Sequence, residues 1–450
     1  YPPLKAMDQI NEDTIFTNFQ NVSREFALYI HIPFCSGRCT FCYFYQIEKP
    51  KPEIILAYLE AIKKEIRLVS KKIKEQLDGI TITSIFFGGG SPTILSGDQF
   101  ADLIEYIEKQ FAFSAQTEIT VEVHPEIIRK NGRTLLNRYF ENQVNRLNIG
   151  VQSFDDHILK STNRRHTAAD AVDVYHLARE IGFTNVNIDL LYPMPDLSPG
   201  IWEQTLNAAF NLKPESVTTY FTAIRKPSSI YRLLHKAPAK FPNEYMNHLF
   251  RIMTIEKARE EGYDHRQLID WFVKPRKDFH YEHQRNEAKK TEEIQLLSFG
   301  SGVFTYLNYH QYYNFPDIRK YCESLNENKL PVWRGIKLTK EERLARAMVL
   351  GIKSGDVNIR EIEERFNQKI TERYDSLLLN LEKLELLEKA NGNIRLSEKG
   401  ILFADEIAVQ FITPDMQNKL RQKSKLVASE QELIENYNFM YDMNELNYLQ

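Results

Sequence analysis

Phe26-Ala27-Leu28-Tyr29-Ile30-His31-Ile32 is an almost continuous apolar run near the start of the chain, as expected for a strand buried on both faces. After it, apolar residues recur at helical spacing from Ile55 to Val69. Five more strand-like runs follow, at residues 82–87, 118–123, 146–151, 185–191 and 216–221. Helical patterns lie between the later runs, around 97–111, 133–142, 167–181 and 201–212. This alternation predicts an α/β fold with a parallel sheet covered by helices, either closed as a barrel or part of one, or open.

The rest of the pattern divides the chain into five predicted segments. They are an N-terminal arm (1–24), the α/β core (25–225), a core extension that covers the substrate (226–335), a winged-helix-like domain (336–412) and a C-terminal tail (413–450). The winged-helix-like domain is predicted from a capping box at Thr339–Glu342, short helical patterns and a hairpin turn at Asn391-Gly392.

Composition and charge exclude several classes of protein. The 450 residues carry 58 Lys and Arg against 61 Asp and Glu, a net charge of −3, so duplex nucleic acid is not an expected partner. The winged-helix-like region is no exception, because acidic residues outnumber basic ones over 377–412. No apolar run approaches the roughly 20 residues of a membrane helix. The first residues, Tyr1-Pro2-Pro3-Leu4-Lys5, lack the regions of a signal peptide, and we expect a cytoplasmic protein.

Three of the four cysteines form a tight cluster. Cys35, Cys39 and Cys42 lie directly after the first predicted strand, whereas Cys322 is remote. In a reducing compartment, such spacing indicates a metal or cluster site rather than disulfides. Iron–sulfur cubanes usually take four thiolates, so three local ligands would leave one iron open, while tetrahedral zinc would need a fourth ligand.

The spacing C-x3-C-x2-C, with Phe41 before the last cysteine, resembles the radical S-adenosylmethionine (SAM) superfamily. The wider string Tyr29-Ile30-His31-Ile32-Pro33-Phe34-Cys35 is similar to the branch of oxygen-independent coproporphyrinogen III oxidase, the haem chaperones and the class C methyltransferases. The resemblance covers residues 25–225, and 338–412 resemble that branch's C-terminal domain. It implies a partial (β/α)6 barrel with a winged-helix-like α+β domain. It also implies a [4Fe–4S] cluster on Cys35, Cys39 and Cys42, at which SAM is reductively cleaved to a 5′-deoxyadenosyl radical.

Polar or glycine-rich motifs follow the other predicted strands, where ligands bind in parallel α/β sheets. Gly88-Gly89-Gly90-Ser91-Pro92-Thr93 is by itself an ordinary turn, and Glu122 could be in a salt bridge between strands. The resemblance instead implies SAM contacts. A first SAM would contact Tyr29, the Phe41 backbone, Gly89, Glu122 and Arg164. A second SAM would contact Gly90, Ser91, Gln152 and Asp189. Arg165 could replace Arg164, and the spacing from Gln152 in related sequences favours Arg164.

One departure from the resemblance directs the predicted reaction. Coproporphyrinogen III oxidases would have a fourth cysteine two residues after the third, where this chain has Phe44 in Cys42-Tyr43-Phe44-Tyr45-Gln46. This string is similar to enzymes of anaerobic haem breakdown and their class C methyltransferase relatives. We therefore expect a class C methyltransferase-like enzyme that transfers a methyl or methylene carbon from a second SAM to a conjugated or aromatic-type substrate. The alternatives are coproporphyrinogen III oxidase-like decarboxylation and a haem-binding chaperone.

The expected partners follow from the same resemblance. They are a small-molecule or modified-peptide substrate and a reductant such as flavodoxin or ferredoxin. An aromatic-rich segment at 299–313 suits either a dry radical site or plain core packing. Three histidines, His280, His283 and His310, are candidate haem ligands that we do not favour over surface histidines.

Overall fold

The computed structural model describes residues 2–19, 22–226, 228–266, 270–275 and 294–427, without the side chains of 424–427. Six parallel strands form the centre of the molecule: β1 (Glu25–Ile32), β2 (Thr81–Gly89), β3 (Glu118–Val123), β4 (Arg146–Gln152), β5 (Val186–Tyr192) and β6 (Ser216–Phe221). The helices that accompany them are α1 (Pro52–Lys74), α2 (Gly97–Gln110), α3 (Gly132–Glu141), α4 (Asp156–Ser161), α5 (Ala168–Ile181) and α6 (Pro199–Asn211). The predicted α/β class and the order of its elements are confirmed.

The central strands lie side by side in the order of the sequence, each parallel to the next. Right-handed crossovers through helices are the usual way to join such strands, and they leave all the carboxyl ends at one edge of the sheet. The helices cover the outer face with apolar stripes, as on α1, where Leu59, Ile62 and Ile66 are buried. In the described residues β1 and β6 do not pair with each other, so the six strands form an open arc.

The region after β6 contains more regular structure than the sequence indicated. It begins with α7 (Ser229–Lys236) and α8 (Glu244–Glu260), continues with β7 (Asp264–Arg266), β8 (Trp271–Val273), β9 (Ile294–Phe299), β10 (Phe304–Leu307) and β11 (His310–Asn314), and ends with α9 (Ile318–Asn326) and β12 (Val332–Lys337). These strands extend both edges of the sheet to twelve strands, in the order β12-β11-β10-β9-β1-β2-β3-β4-β5-β6-β8-β7. Only β9 continues the parallel direction, on β1.

The N-terminal residues are packed rather than extended. Leu4–Ala6 form a 3-10 turn, Glu12–Ile15 form one helical turn, and Asp8 pairs with Gly335 at the sheet edge. Met7 and Ile15 are fully buried. Apolar residues that looked scattered along the sequence therefore fill gaps between elements that are remote in sequence.

The C-terminal region has a hydrophobic core of its own. It consists of α10 (Lys340–Lys353), β13 (Asp356–Asn358), α11 (Ile359–Phe366), α12 (Ile370–Arg373), α13 (Asp375–Lys383), β14 (Leu387–Ala390), β15 (Asn393–Leu396), α14 (Glu398–Ile401) and α15 (Ala404–Val409), followed by α16 (Pro414–Val427). The strand order β13-β15-β14 places the hairpin against the helices, as in a winged helix. None of the helices described is both long and apolar enough to cross a membrane.

Candidate active site

The carboxyl ends of the central strands surround one cavity of about 460 Å³, which is in the size range of ligand sites. All but one of the predicted site residues line it: Cys35, Cys39, Phe41, Cys42, Gly89, Gly90, Ser91, Glu122, Gln152, Arg164 and Asp189. Tyr29 is the exception. Its hydroxyl lies 3.1 Å from His31 Nδ1, and its ring stacks on Phe86, with 5.9 Å between the centroids.

The cysteine loop is fixed in place by backbone hydrogen bonds. Phe34–Cys35 pair in parallel with Ile47–Glu48, and Lys49 donates its N–H to the Cys35 carbonyl at 2.7 Å. Thr40 donates its N–H to the Thr162 carbonyl at 3.0 Å, which attaches the loop to the end of α4. The three thiols therefore stand on a preorganised loop.

Burial disfavours the ionised form of two of the thiols, Cys35 and Cys42. Burial raises the pKa of the Cys35 thiol to about 12 and that of the Cys42 thiol to about 11, and neighbouring thiols add to both shifts. Cys35 donates to Gln46 Oε1 at 2.8 Å. Metal binding displaces protons from thiols of this kind.

The residues present fit a cubane cluster, since three thiols line the same cavity. Within the described residues, no three His, Cys, Asp or Glu side chains converge as they would around one metal ion. The thiolates of a cubane bind different irons and stand further apart. Gly90 leaves the space that this requires, since a Cβ there would lie 3.0 Å from Cys35 Sγ.

Gly89 and Glu122 form one unit at the ends of β2 and β3. Gly89 has a φ of 116°, which favours glycine, and a Cβ would lie 2.6 Å from the His31 ring. Its N–H donates to Glu122 Oε2 at 3.1 Å. The Glu122 carboxylate is thus held by the glycine loop at the cavity wall.

The structure separates the roles of the two neighbouring arginines. Arg164 lines the cavity, donates to the Gly150 carbonyl, and places Nη1 3.6 Å from Cys39 Sγ. Arg165 is exposed and packs its guanidinium against Gly37 of the cysteine loop, where any Cβ would overlap it. Only Arg164 faces the cavity.

Gln152 ends β4, whereas Asp189 lies in the middle of β5 and not, as the sequence indicated, at the end of the strand, because β5 continues to Tyr192. Gln152 has a φ of 71° beside a register shift between the two strands, and its buried Oε1 has no hydrogen-bond partner among the described residues. Such an uncommon conformation and such an orphaned acceptor are typical of a ligand site. Burial raises the pKa of Asp189 to about 7, and Asn187 donates to its Oδ1 at 2.6 Å.

A network of buried polar side chains is connected to Asp189 through Asn187. Arg146 is 1 % exposed and donates to Asn148 Oδ1 at 2.6 Å and to Ser216 Oγ at 3.2 Å. Ser216 in turn donates to Asn187 Oδ1 at 2.6 Å. The positive charge of Arg146 acts against the burial that raises the pKa of Asp189.

Several lining residues were not predicted from the sequence. Asn148 faces the cavity from β4. The sequence could have indicated it, because it is a polar residue within a buried strand. His124 also lines it. Its Nδ1 accepts the Glu126 N–H at 3.4 Å, so the neutral ring carries its proton on Nε2. Burial holds the pKa of His124 well below its usual range.

Of the three histidines considered as haem ligands, His310 is the one that the structure describes, and it does not line this cavity. His310 is buried in β11, with Nδ1 2.7 Å from the Asn308 carbonyl, so it is not a surface histidine. His280 and His283 lie outside the described residues. The aromatic side chains at 299–313 are largely buried at the sheet edge and do not line the cavity.

Comparisons with known proteins match both the core and the C-terminal region. The Radical SAM superfamily model matches residues 29–209, and the HemN C-terminal domain model matches residues 338–403. The heme chaperone HemW of Bacillus subtilis is 28 % identical over 393 residues, which is 86 % of this chain and 99 % of that protein. The oxygen-independent coproporphyrinogen III oxidase of Escherichia coli is 27 % identical over 420 residues, covering 90 % of this chain and 88 % of that protein.

A solved structure is similar to this chain over nearly the whole fold. Coproporphyrinogen III oxidase (HemN) of Escherichia coli, described as a radical SAM enzyme, superposes with a TM-score of 0.80 at 26 % identity, covering 92 % of this chain and 96 % of that one. These relatives are oxidases and chaperones, so they favour the alternatives stated above over the methyl transfer that we expected first. The chain combines a radical SAM domain with a HemN C-terminal domain, its relatives include HemN and HemW, and its cofactors are a [4Fe–4S] cluster and SAM.

Proposed function

We propose that the chain is a radical SAM enzyme that acts on a tetrapyrrole carrying propionate groups, as the name coproporphyrinogen III oxidase implies for its relatives. The observation that carries this proposal is the convergence of three thiols, the Gly89–Glu122 unit and Arg164 on one cavity. The similarity extends over the C-terminal domain, so it is not limited to the part that binds cofactors.

Each residue of the site has a proposed task. Cys35, Cys39 and Cys42 would hold the cluster, and cluster and SAM together supply a carbon radical that removes a hydrogen atom from the substrate. Glu122 offers a carboxylate to the ammonium group of SAM, and Arg164 offers a bidentate cation to its carboxylate. The Phe41 backbone contributes from the loop between them.

Tyr29 has a less direct place in the site. Contact with SAM stays a prediction for this residue. In the structure its hydroxyl meets His31, the ring that packs against Gly89, so Tyr29 supports the glycine loop from behind.

We propose oxidative decarboxylation as the first candidate reaction. A hydrogen atom would be removed from the propionate carbon next to the ring. Release of the carboxylate as carbon dioxide, with transfer of one electron to an external acceptor, would then leave a vinyl group.

The test is an assay without oxygen. The protein is reduced by a flavodoxin- or ferredoxin-type donor and incubated with SAM and coproporphyrinogen III. We expect 5′-deoxyadenosine and carbon dioxide to form together with the wild type and not with Cys39→Ala.

A second candidate is transfer of carbon from a second SAM to the same substrate. Two observations favour it: Phe44 stands where a fourth thiol is expected, and Gly90, Ser91, Gln152 and Asp189 form a second set on the cavity wall. SAM with a labelled methyl group separates the candidates in the same assay. Label in the tetrapyrrole, with no carbon dioxide, supports transfer. Stoichiometric haem binding without any SAM cleavage supports a chaperone and refutes both reactions.

A further inference from the structure

We propose that Tyr43, Phe44, Phe221 and Arg225, here called the aromatic rim, bind the tetrapyrrole substrate. Pyrrole rings would stack on Phe44 and Phe221, and Arg225 would bind a propionate. This inference rests on the proposed function and names the residues that select the substrate. Neither the family resemblance nor the predicted SAM contacts assign a role to Tyr43, Phe221 or Arg225.

The rim exposes aromatic surface at the mouth of the cavity. Phe44 is 40 % exposed and Phe221 is 59 % exposed, and both line the cavity together with Tyr43. Tyr43 and Phe44 stack with 4.6 Å between their centroids at an interplanar angle of 29°, which presents a flat apolar face. Exposed aromatic side chains grouped at a concave site are typical of a ligand-binding surface.

Hydrogen bonds hold the two sides of the rim together. Ile230, at the start of α7, donates its N–H to the Thr40 carbonyl of the cysteine loop at 2.9 Å. Thr222 donates its N–H to the Tyr192 carbonyl at 2.7 Å, which fixes the chain directly after Phe221. Binding would therefore need little ordering of the backbone, and a larger share of the stacking energy would appear as affinity.

The charges in and around the cavity orient a carboxylate-bearing ring. Glu122 lines the cavity, where it would repel propionates, and Arg164, which also lines it, is assigned to the carboxylate of SAM. Arg225 does not line the cavity itself, but its guanidinium carbon lies 5.2 Å from the centre of the ring of Tyr43, which does. A guanidinium beside an aromatic ring can bind a carboxylate bidentately while it keeps its cation–π contact. A tetrapyrrole would thus place a propionate at Arg225 and its ring over the aromatic residues.

Phe44 also marks a difference between this chain and the oxidases that it resembles. It stands where the resemblance calls for a fourth cysteine, so this chain has a stacking surface in place of a thiol. The substrate would be selected there by the flat face of a pyrrole ring. A thiol returned to this position should weaken binding as much as an alanine does.

Binding of coproporphyrin III, a fluorescent tetrapyrrole with four carboxylates, tests the inference. Its fluorescence anisotropy is titrated with reconstituted wild type and with Phe44→Ala, Phe44→Cys and Phe221→Ala. We expect each variant to bind roughly threefold to tenfold more weakly, as for the loss of one aromatic pair. Tyr45→Ala is the matched control, because Tyr45 is 38 % exposed on the same loop but does not line the cavity, and its hydroxyl donates to Asp317 at 3.4 Å. Its affinity should equal that of the wild type.

Arg225 is tested with a pair of variants. Arg225→Gln should weaken binding and flatten its dependence on salt, whereas Arg225→Lys should keep part of both. Iron content verifies that each variant holds its cluster. If the Phe44 variants lose their clusters, Phe221→Ala still tests the inference, because Phe221 is remote from the cysteines in sequence.

The outcomes separate this inference from the proposed function. If Phe221→Ala and Arg225→Gln bind coproporphyrin III like Tyr45→Ala, the rim is not the substrate site, even if wild type cleaves SAM with a tetrapyrrole. If wild type neither binds the porphyrin nor cleaves SAM with any tetrapyrrole, the proposed function and this inference both fail. Weaker binding in the rim variants alone supports the inference.

Discussion

Asp189 is a buried acid whose protonation should couple the stability of the core to pH. Burial raises its pKa to about 7, above the value near 4 of an exposed aspartate. The folded chain then holds a proton that the unfolded chain has released, so the contribution of Asp189 to stability is present below about pH 4 and is lost as the pH rises through 7.

Asp189→Asn should remove this dependence, because the amide keeps an oxygen for the Asn187 donor but carries no charge. We expect the urea midpoint of the variant to rise relative to wild type as the pH goes from about 4 to about 7. Glu65, whose pKa burial also raises to about 7, is present in both proteins and cancels in the difference. Asp173→Asn, at an exposed position on α5, is the control. A midpoint difference for Asp189→Asn that is constant across this range would contradict the prediction.

The four cysteines should differ sharply in their contribution to iron binding. Cys39→Ala should lose the roughly four irons per chain of one cubane, because it removes one of only three thiols at the cavity. Cys322→Ala should keep them, since Cys322 lies on α9 and packs against the core. Iron and sulfide analysis after anaerobic reconstitution measures both. Loss of the cluster in Cys322→Ala alone would show that the ligand set is wrong.

Residues of the site differed in how well the sequence could predict them. Glu122 and Gln152 were predictable as cavity residues, because a polar residue at the end of a buried strand of a parallel sheet has few structural reasons to be there. Asp189 also lines the cavity, but from the middle of β5 and not from the strand end that the sequence indicated. Phe44 and Phe221 were not predictable, because an aromatic residue beside a strand usually belongs to the core. Only their exposure in the folded chain distinguishes them.

At the scale of elements, the wing of the C-terminal domain depends on a close contact at Gly400 in α14. A Cβ there would overlap the backbone carbonyl of Leu386, next to β14, which cannot move without moving the hairpin. Gly400→Ala should destabilise this domain by about 1–3 kcal/mol, as overpacking does. Protease susceptibility of residues 338–412 measures the effect, and iron content should not change.

Gly200→Ala is the matched control for this prediction. Gly200 lies in the first turn of α6, and a Cβ added there would have no atom within 4 Å, so alanine should be neutral or slightly stabilising. Equal protease resistance of the two variants would show that the wing tolerates a shift of its hairpin.

The sheet edges show which elements the sequence could not predict. The six central strands were found because their apolar runs alternate with amphipathic helices. Buried polar residues at the sheet edges, such as Gln295 in β9 and Asn308 in the turn between β10 and β11, look like loop residues in the sequence. Asn308 donates to the Ile15 and Thr17 carbonyls, so its partners come from the N-terminal region, almost 300 residues away.

At the scale of the whole molecule, two sets of polar groups share one cavity. The number of SAM molecules bound per chain shows whether each set binds a SAM of its own. The Gly89–Glu122 unit and Arg164 lie beside the cysteine loop, whereas Gln152 and Asp189 lie on the two following strands, β4 and β5. Two distinct sets exceed what one SAM needs, so we expect two SAM per chain.

Equilibrium dialysis of the reconstituted protein, with its cluster kept oxidised so that SAM is not cleaved, measures this stoichiometry. Wild type should bind two SAM, Asp189→Ala about one, and Glu122→Gln should lose the molecule beside the cluster instead. Reduction of the first variant should still yield 5′-deoxyadenosine, because the groups next to the cysteines are intact, whereas reduction of the second should yield little. One SAM in wild type, or loss of all SAM binding in Asp189→Ala, would mean that the two sets bind a single molecule, and carbon transfer from a second SAM would then have no site in this cavity.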